Sequence, residues 1–354
     1  MRAWAVTGEP TAARLLHEVE RRQPEPGPDE VLVQVEACGV CRTDLHLAEG
    51  DLAPKRPDVV PGHEAVGRVL GIGASVRRFR AGDRVGVPWL RRTCGACHWC
   101  RTGAENLCPR SAYTGWDADG GYAEMLTAPA AFVYALPDDV AAADLAPLLC
   151  AGIIGYRALR RAALPPGGRL GLYGFGASAH LTAQLAIAQG AEVHVLTRGA
   201  AARRLALELG AASAGDATAT PPVALDSVVV FAPSGELVPV ALAALAPGGT
   251  VSLAGIHMTD LPAMDYQTHL FRERTLTSVT ANTRADGEEL LALAVRIGVR
   301  ARTTVYPIAQ ADQALRDLRD GAFSGAAVLE ADGPSAAPGA RHQEPSAGRV
   351  VNSE

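Results

Sequence analysis

Apolar and polar positions alternate over residues 31–35, with Val31, Val33 and Val35 on one side, which predicts a half-buried strand. Short apolar runs at 66–70 and 84–87 predict two more strands. Pro24, Pro26, Pro28, Pro61, Gly62, Gly71, Gly73 and Gly82 punctuate this region, and short strands at such spacing imply a sandwich or barrel. From about Leu145 the pattern changes. Strands at 169–173, 192–197, 227–231, 250–254 and 276–280 alternate with helical stretches at 178–189, 200–209 and 236–245, the second ended by Gly210. Such alternation implies an α/β region with a doubly wound parallel sheet. Helical patterns at 288–297 and 309–319 and a closing strand at 326–330 follow. Residues 331–354 are rich in Pro, Ser, Gly and Ala without periodicity, and read as a disordered tail.

At 354 residues the chain is long enough for two domains, and 48% hydrophobic with 20% charged residues is a globular composition. A net charge of -5 without a basic run argues against a nucleic-acid partner. No apolar stretch reaches the length of a membrane span and the first residues do not resemble a signal peptide, so the expectation is a cytoplasmic chain with no membrane partner.

Seven cysteines fall in three places. Cys94, Cys97, Cys100 and Cys108 form a comb within one short loop. Four thiolates suit a tetrahedral zinc, and a site closed by four protein ligands is structural. Free thiols or an iron–sulfur centre are the alternatives, and four free thiols this close would be an oxidation liability. Cys41 and Cys150, with His63 in Gly62-His63-Glu64, supply the three ligands a catalytic zinc wants beside its open position. Two thiolates and a neutral imidazole leave that site uncharged overall, still able to polarise an alcohol oxygen. Spacing alone leaves this trio open, since a histidine beside Pro-Gly is also an ordinary turn residue. Cys38 reads as a small buried hydrophobe.

Gly174-Phe175-Gly176-Ala177-Ser178-Ala179 follows a predicted strand and opens a predicted helix, in the GxGxxA form of a dinucleotide fingerprint. Gly174 makes the turn, Gly176 admits the pyrophosphate, and Ala179 is small enough for helix–strand packing. The next strand ends at Thr197-Arg198, where an NAD enzyme carries an acid for the ribose 2′-hydroxyl. Thr197, Arg198 and Arg203 could instead hold a 2′-phosphate, so NADP is favoured, with NAD the alternative. Arg198 as a solvated loop residue is the competing reading.

Cys41-Arg42-Thr43-Asp44-Leu45-His46 and Gly62-His63-Glu64-Ala65-x-Gly67, with the comb, Cys150-Ala151-Gly152 and the nucleotide pattern, resemble the signatures of zinc-dependent alcohol dehydrogenases of the medium-chain dehydrogenase/reductase family, over residues 1–330. Gly174 to His180 and the stretch around Ile256 resemble one bacterial subgroup. The resemblance implies a GroES-like β domain over 1–153 and 288–330 and a Rossmann domain over 154–287, with the active site in the cleft. It implies Cys41, His63 and Cys150 as catalytic zinc ligands and Glu64 close behind or at the metal. Asp44 would orient His63, and Thr43 would accept the alcohol proton, with the cofactor ribose and His46 passing it to solvent. Taken alone, Asp44 is also a plausible helix cap and His46 a surface histidine. Cofactor contacts are implied for Arg42, Ala232, Gly255, Ile256 and Asn282. Trp89, Leu90 and Trp116 would make an apolar substrate pocket, with Ile154 facing the nicotinamide where relatives often carry Thr or Val. Gly325-Ala326 stands where relatives often place an arginine. The expected activity is oxidation of primary alcohols, with secondary alcohols as the alternative, using about two zinc ions per chain, in a homodimer or homotetramer. A polyol or sugar dehydrogenase and a non-catalytic NADP-binding protein are the competing functions.

Overall fold

A computed structural model describes residues 1–11 and 13–331. Residues 332–354, nearly all of the segment expected to be a disordered tail, lie outside the described residues. The chain opens with an antiparallel pair, Arg2–Thr11 and Arg14–Glu20, which the hydrophobic pattern had not signalled. The strand predicted at 31–35 is the middle of a longer one, Glu30–Val40, the centre of a seven-stranded sheet. It pairs antiparallel with Ala65–Ile72 and Met125–Pro129, and its last residues pair with Ala326–Glu330. Thr303–Pro307 joins the outer side of that strand, so the end of the described chain completes a sheet begun near its start.

Between them stands a second, all-parallel sheet of six strands. In spatial order these are Ser213–Gly215, Glu192–Leu196, Arg169–Tyr173, Leu225–Val230, Leu245–Leu253 and Thr275–Ser278. Numbered along the chain this is the order 3-2-1-4-5-6, reversing direction between Arg169–Tyr173 and Leu225–Val230, and ligands bind such sheets beyond the carboxyl ends of the strands at that reversal. Leu170, Leu172, Val228, Val229 and Val230 are fully buried, as strands covered on both faces require.

The helices Ala151–Arg161, Ala177–Ala188 and Arg284–Ile297 stand between the sheets. Ile153, Leu181, Leu185, Leu290 and Val328 share one core cluster, so a continuous apolar seam joins the two halves. The last of these helices starts four residues before the predicted 288. Thr283 accepts from the Asp286 N–H and Asp286 accepts from the Thr283 N–H, a reciprocal cap that periodicity does not reveal. Among the described residues no single helix is long and apolar enough to cross a membrane.

Candidate active site

The helix Arg42–Glu49 begins where the central strand ends, with Cys41 at its N-cap. The Cys41 sulfur accepts from the Thr43 N–H at 3.5 Å, which turns it inward. Asp44 lies buried behind it and accepts four hydrogen bonds. They come from Cys41 N (3.0 Å), Gly62 N (2.9 Å), His63 Nδ1 (3.1 Å) and the Tyr122 hydroxyl (3.3 Å). Helix cap and histidine orienter, alternatives in the sequence, are both roles of this one carboxylate. Gly62 has φ +97°, and a Cβ there would come within 2.4 Å of the Tyr122 ring, so only glycine fits the turn presenting His63.

With Nδ1 on Asp44, His63 Nε2 faces the other way. It is buried and has no hydrogen-bond partner among the described residues. Cys41, Glu64 and Cys150 surround it, their ligand atoms and that of His63 all within 4.8 Å of one another. Cys150 stands at the N-cap of Ala151–Arg161, and the Glu64 carboxylate accepts from the Ala151 N–H at the same helix start. Burial, then the Cys41 sulfur, pushes the Glu64 carboxyl well above its usual range. The neighbouring Cys150 thiol pulls Cys41 well below its ordinary range, and the Cys41 sulfur, together with burial, pushes Cys150 well above. Two sulfurs and an orphaned buried imidazole nitrogen converging on one point fit a soft divalent metal. Cys38 is fully buried beneath, its thiol held up by burial, and its sulfur points at the Gly39 carbonyl rather than into the cluster.

The comb forms a second cluster in the loop between the short strands Leu90–Arg92 and Ala112–Tyr113. Cys94, Cys97, Cys100 and Cys108 gather their sulfurs within 4.8 Å, with Cys94–Cys100 at 3.8 Å and Cys97–Cys100 at 3.5 Å. A tetrahedron with metal–sulfur bonds of about 2.3 Å has edges of about 3.8 Å, so little adjustment is needed. Backbone N–H groups already point at the sulfurs, from Cys97 to Cys94 and from Cys94 and Arg110 to Cys108. Those of Ala96 and Cys97 bring Cys94 down to about 5.

At the reversal of the parallel sheet, Gly174 turns at φ +86°, where a Cβ would stand 2.8 Å from the Ala232 nitrogen. Ala179 is fully buried, whereas Gly176 is exposed with open space where a side chain would be. The helix start there, with half-buried Ala177 and Ser178, offers free N–H groups to an anion. Ala232 and Gly255 line the other side of the turn, 3.1 Å separating the Ala232 carbonyl from a Cβ built on Gly255.

The family model for the alcohol dehydrogenase GroES-like domain matches residues 27–138, and that for zinc-binding dehydrogenases matches residues 178–296. A probable alcohol dehydrogenase of Mycobacterium tuberculosis, AdhA, is 58% identical over 335 residues, covering 93% of this chain and 97% of its own. An alcohol dehydrogenase of Geobacillus stearothermophilus is 36% identical, with 92% and 98% covered. Among solved structures, a cinnamyl alcohol dehydrogenase of Sorghum bicolor superposes with a TM-score of 0.84 at 29% identity, covering 93% of this chain and 97% of that one. The chain belongs to the zinc-binding alcohol dehydrogenases of the medium-chain dehydrogenase/reductase family. Its seven-stranded sheet is the GroES-like part and its six-stranded sheet the Rossmann part.

In this alcohol dehydrogenase, of the aromatic residues singled out in the sequence, Trp89 stands beside His63 and Trp116 stacks beyond it. Trp89 meets the His63 ring edge-on at 4.8 Å and stacks on Tyr113 at 4.7 Å and Trp116 at 6.0 Å. Lys55 sits over Trp116, whose indole N–H donates to the Ala53 carbonyl. Leu90 is buried, and Ile154 is half-buried one turn into the helix that Cys150 caps. Thr43 is buried with its hydroxyl 3.6 Å from the Cys41 sulfur. His46 pairs with Asp51 at 2.9 Å and lies 4.4 Å from the ring of His257, which follows exposed Ile256 at the end of the Rossmann strands. Arg42 is exposed on the first helical turn, and Asn282 is buried, its amide on the Thr283 carbonyl. Thr197 is buried and Arg198 exposed, while Arg203 spends Nη1 on the Thr197 and Arg198 carbonyls, near Asp216. Sequence reading missed Tyr122, Tyr113, Asp51 and His257. Asp51 lies just past the end of the helix that carries His46, Tyr113 lies in the short strand Ala112–Tyr113, and Tyr122 and His257 come from segments far from their partners in sequence.

Proposed function

We propose that this alcohol dehydrogenase is zinc-dependent and favours NADP, and that it oxidises primary alcohols, the reverse direction reducing aldehydes. The observation that carries the zinc reading is the orphaned His63 Nε2 clustered with the Cys41 and Cys150 sulfurs. Cys41, His63 and Cys150 would hold the catalytic ion, Cys94, Cys97, Cys100 and Cys108 the structural one. A zinc ion at the first site supplies Lewis acidity that makes an alcohol O–H easier to ionise, and the nicotinamide supplies the hydride acceptor. Asp44 holds His63 in the tautomer that leaves Nε2 free to ligate. The Thr43 hydroxyl, beside the cluster, would accept the substrate proton while passing its own hydroxyl proton on toward His46 by way of the cofactor ribose. His46, supported by Asp51, returns it to solvent. The apolar faces of Trp89 and Trp116 exclude water and suit an apolar alcohol.

The NADP preference is supported by the end of the strand Glu192–Leu196, where Thr197 and Arg198 stand in place of an acid and the nearby carboxylate, Asp216, faces Arg203. We assign residues 1–153 and 288–330 to the catalytic unit and 154–287 to the cofactor unit, in keeping with the strands each contributes to its sheet. Zinc content by mass spectrometry, on protein then assayed with benzyl alcohol and short alkanols against each cofactor, tests the reading. About two zinc ions per chain with NADP-linked turnover is the expected result. NAD-linked turnover would remove the cofactor preference. Absence of turnover after zinc is restored would leave a cofactor-binding protein without catalysis.

A further inference from the structure

His180 sits in the first turn of the nucleotide-binding helix, fully buried, and the chemistry above makes no use of it. Both ring nitrogens are engaged, on different parts of the molecule. Nδ1 is 3.1 Å from the Gly176 carbonyl, which has no hydrogen to give, so Nδ1 carries the proton. Nε2 is then the acceptor, and it receives the Arg302 N–H at 3.1 Å. One turn on, Gln184 exchanges two hydrogen bonds with Arg300, Nε2 to its carbonyl at 2.9 Å and Oε1 from its N–H at 3.1 Å. Residues four apart share a helix face, so this face is bound to the returning chain by directed polar bonds.

The far side of Arg302 continues the link. Its carbonyl accepts from the Ala326 N–H at 2.8 Å, and a Cβ on Gly325 would lie 2.2 Å from that oxygen. Ala326 opens the strand that pairs Leu329 with Cys38 and Val328 with Gly39, and Cys41 follows on the same strand end. A chain of hydrogen-bonded groups therefore runs from Gly176 at the pyrophosphate turn, through His180 and Arg302, to the strand that delivers Cys41.

We propose that His180 is a positioning residue for the cofactor, latching the nucleotide-binding turn to the catalytic sheet in the neutral Nδ1–H form. The proposal rests on the dinucleotide reading of the Gly174–Gly176 turn. Its test is NADP+ binding and steady-state kinetics on zinc-loaded, full-length His180→Ala, His180→Asn and His180→Gln. Asparagine keeps a donor near the Gly176 carbonyl, while glutamine reaches far enough to accept from Arg302. We expect the alanine variant to raise both Kd and KM for NADP+ about tenfold, the scale of one or two lost buried hydrogen bonds, with alcohol KM at saturating cofactor changed less than about twofold. Each amide variant should recover part of that loss. Variants that bind NADP+ as the wild type does, with only a lower melting temperature, would overturn the latch and leave His180 a packing residue. If alanine does not fold, equal cofactor affinity in wild type, asparagine and glutamine variants overturns it as well. A wild type that binds neither NADP+ nor NAD+ would overturn the dinucleotide reading, and the latch with it.

Discussion

Replacing Asp44 by asparagine probes how the candidate catalytic metal site is held from behind. The carboxylate accepts from Gly62 N and His63 Nδ1 on one oxygen, and from Cys41 N and the Tyr122 hydroxyl on the other. An amide that keeps its oxygen toward Gly62 and His63 turns its NH2 onto Cys41 and Tyr122. The Tyr122 hydroxyl can rotate and accept, but the Cys41 N–H cannot, so one donor loses its partner and faces another donor. An unsatisfied buried donor costs about 1–3 kcal/mol, and the acceptor left for His63 is no longer charged. A metal-ligating histidine that loses its carboxylate partner typically loses about 10–100-fold in metal affinity, about 1.4–2.7 kcal/mol. The assay is a chelator titration with zinc counted per chain, the Cys94 to Cys108 comb serving as internal control because it shares no residue with Asp44. In Asp44→Asn one zinc should leave at a chelator concentration about 10–100-fold lower than in the wild type, taking kcat with it, while the second zinc stays. Loss of both ions at unchanged chelator concentration would refute the argument that this carboxylate sets the affinity.

Three further outcomes follow from the same geometry. Cys150→Ser should abolish turnover with a modest change in melting temperature, whereas Cys100→Ser should chiefly lower melting temperature and retain cofactor binding; equal losses in both would contradict two separate roles. Arg198→Asp should move the preference from NADP toward NAD by at least about tenfold in kcat/KM, the value of one charge-assisted contact, and an unchanged ratio would show that Arg198 is only a solvated loop residue. Burial pushes the Glu105 carboxyl up, but the Arg284 guanidinium and backbone N–H outweigh it and bring it below its ordinary 4.5. A lowered carboxyl stabilises the fold above its ordinary value, and that contribution is lost as the pH falls through the lowered one. Melting temperature followed from pH 6 to pH 3, about the range of this titration, should therefore fall more steeply in the wild type than in Glu105→Gln, which starts about 1–3 kcal/mol less stable. Parallel curves would exclude this pair as a source of acid sensitivity.

Local physics wrote much of this protein in one dimension. The strands Arg84–Val87, Arg169–Tyr173 and Ala326–Glu330 have the bounds their apolar runs predict, because strands buried on a sheet need little beyond branched residues between turn formers. The comb was legible because its four cysteines lie in one short loop, and Gly174 to Ala179 because turn and helix start are consecutive. Ends set by side-chain caps or by pairing were less legible. The helix at Arg284 starts early on its Thr283–Asp286 box, and the strand Leu245–Leu253 starts early because Leu245 pairs with Leu225 before the register shifts. Residue spacing left Cys41, His63 and Cys150 open, and only the family resemblance named them, with Glu64 behind; the tertiary structure is what gathers all four. They come from a helix cap, a turn before a strand and a second helix cap, and no periodicity links those positions. The same holds for the Tyr122 hydroxyl on Asp44, the Tyr113 ring in the aromatic stack and the Arg302 N–H on His180. A side chain's type advertises what it can bind, but its partner is chosen by which distant segment the packed core brings within about 3 Å.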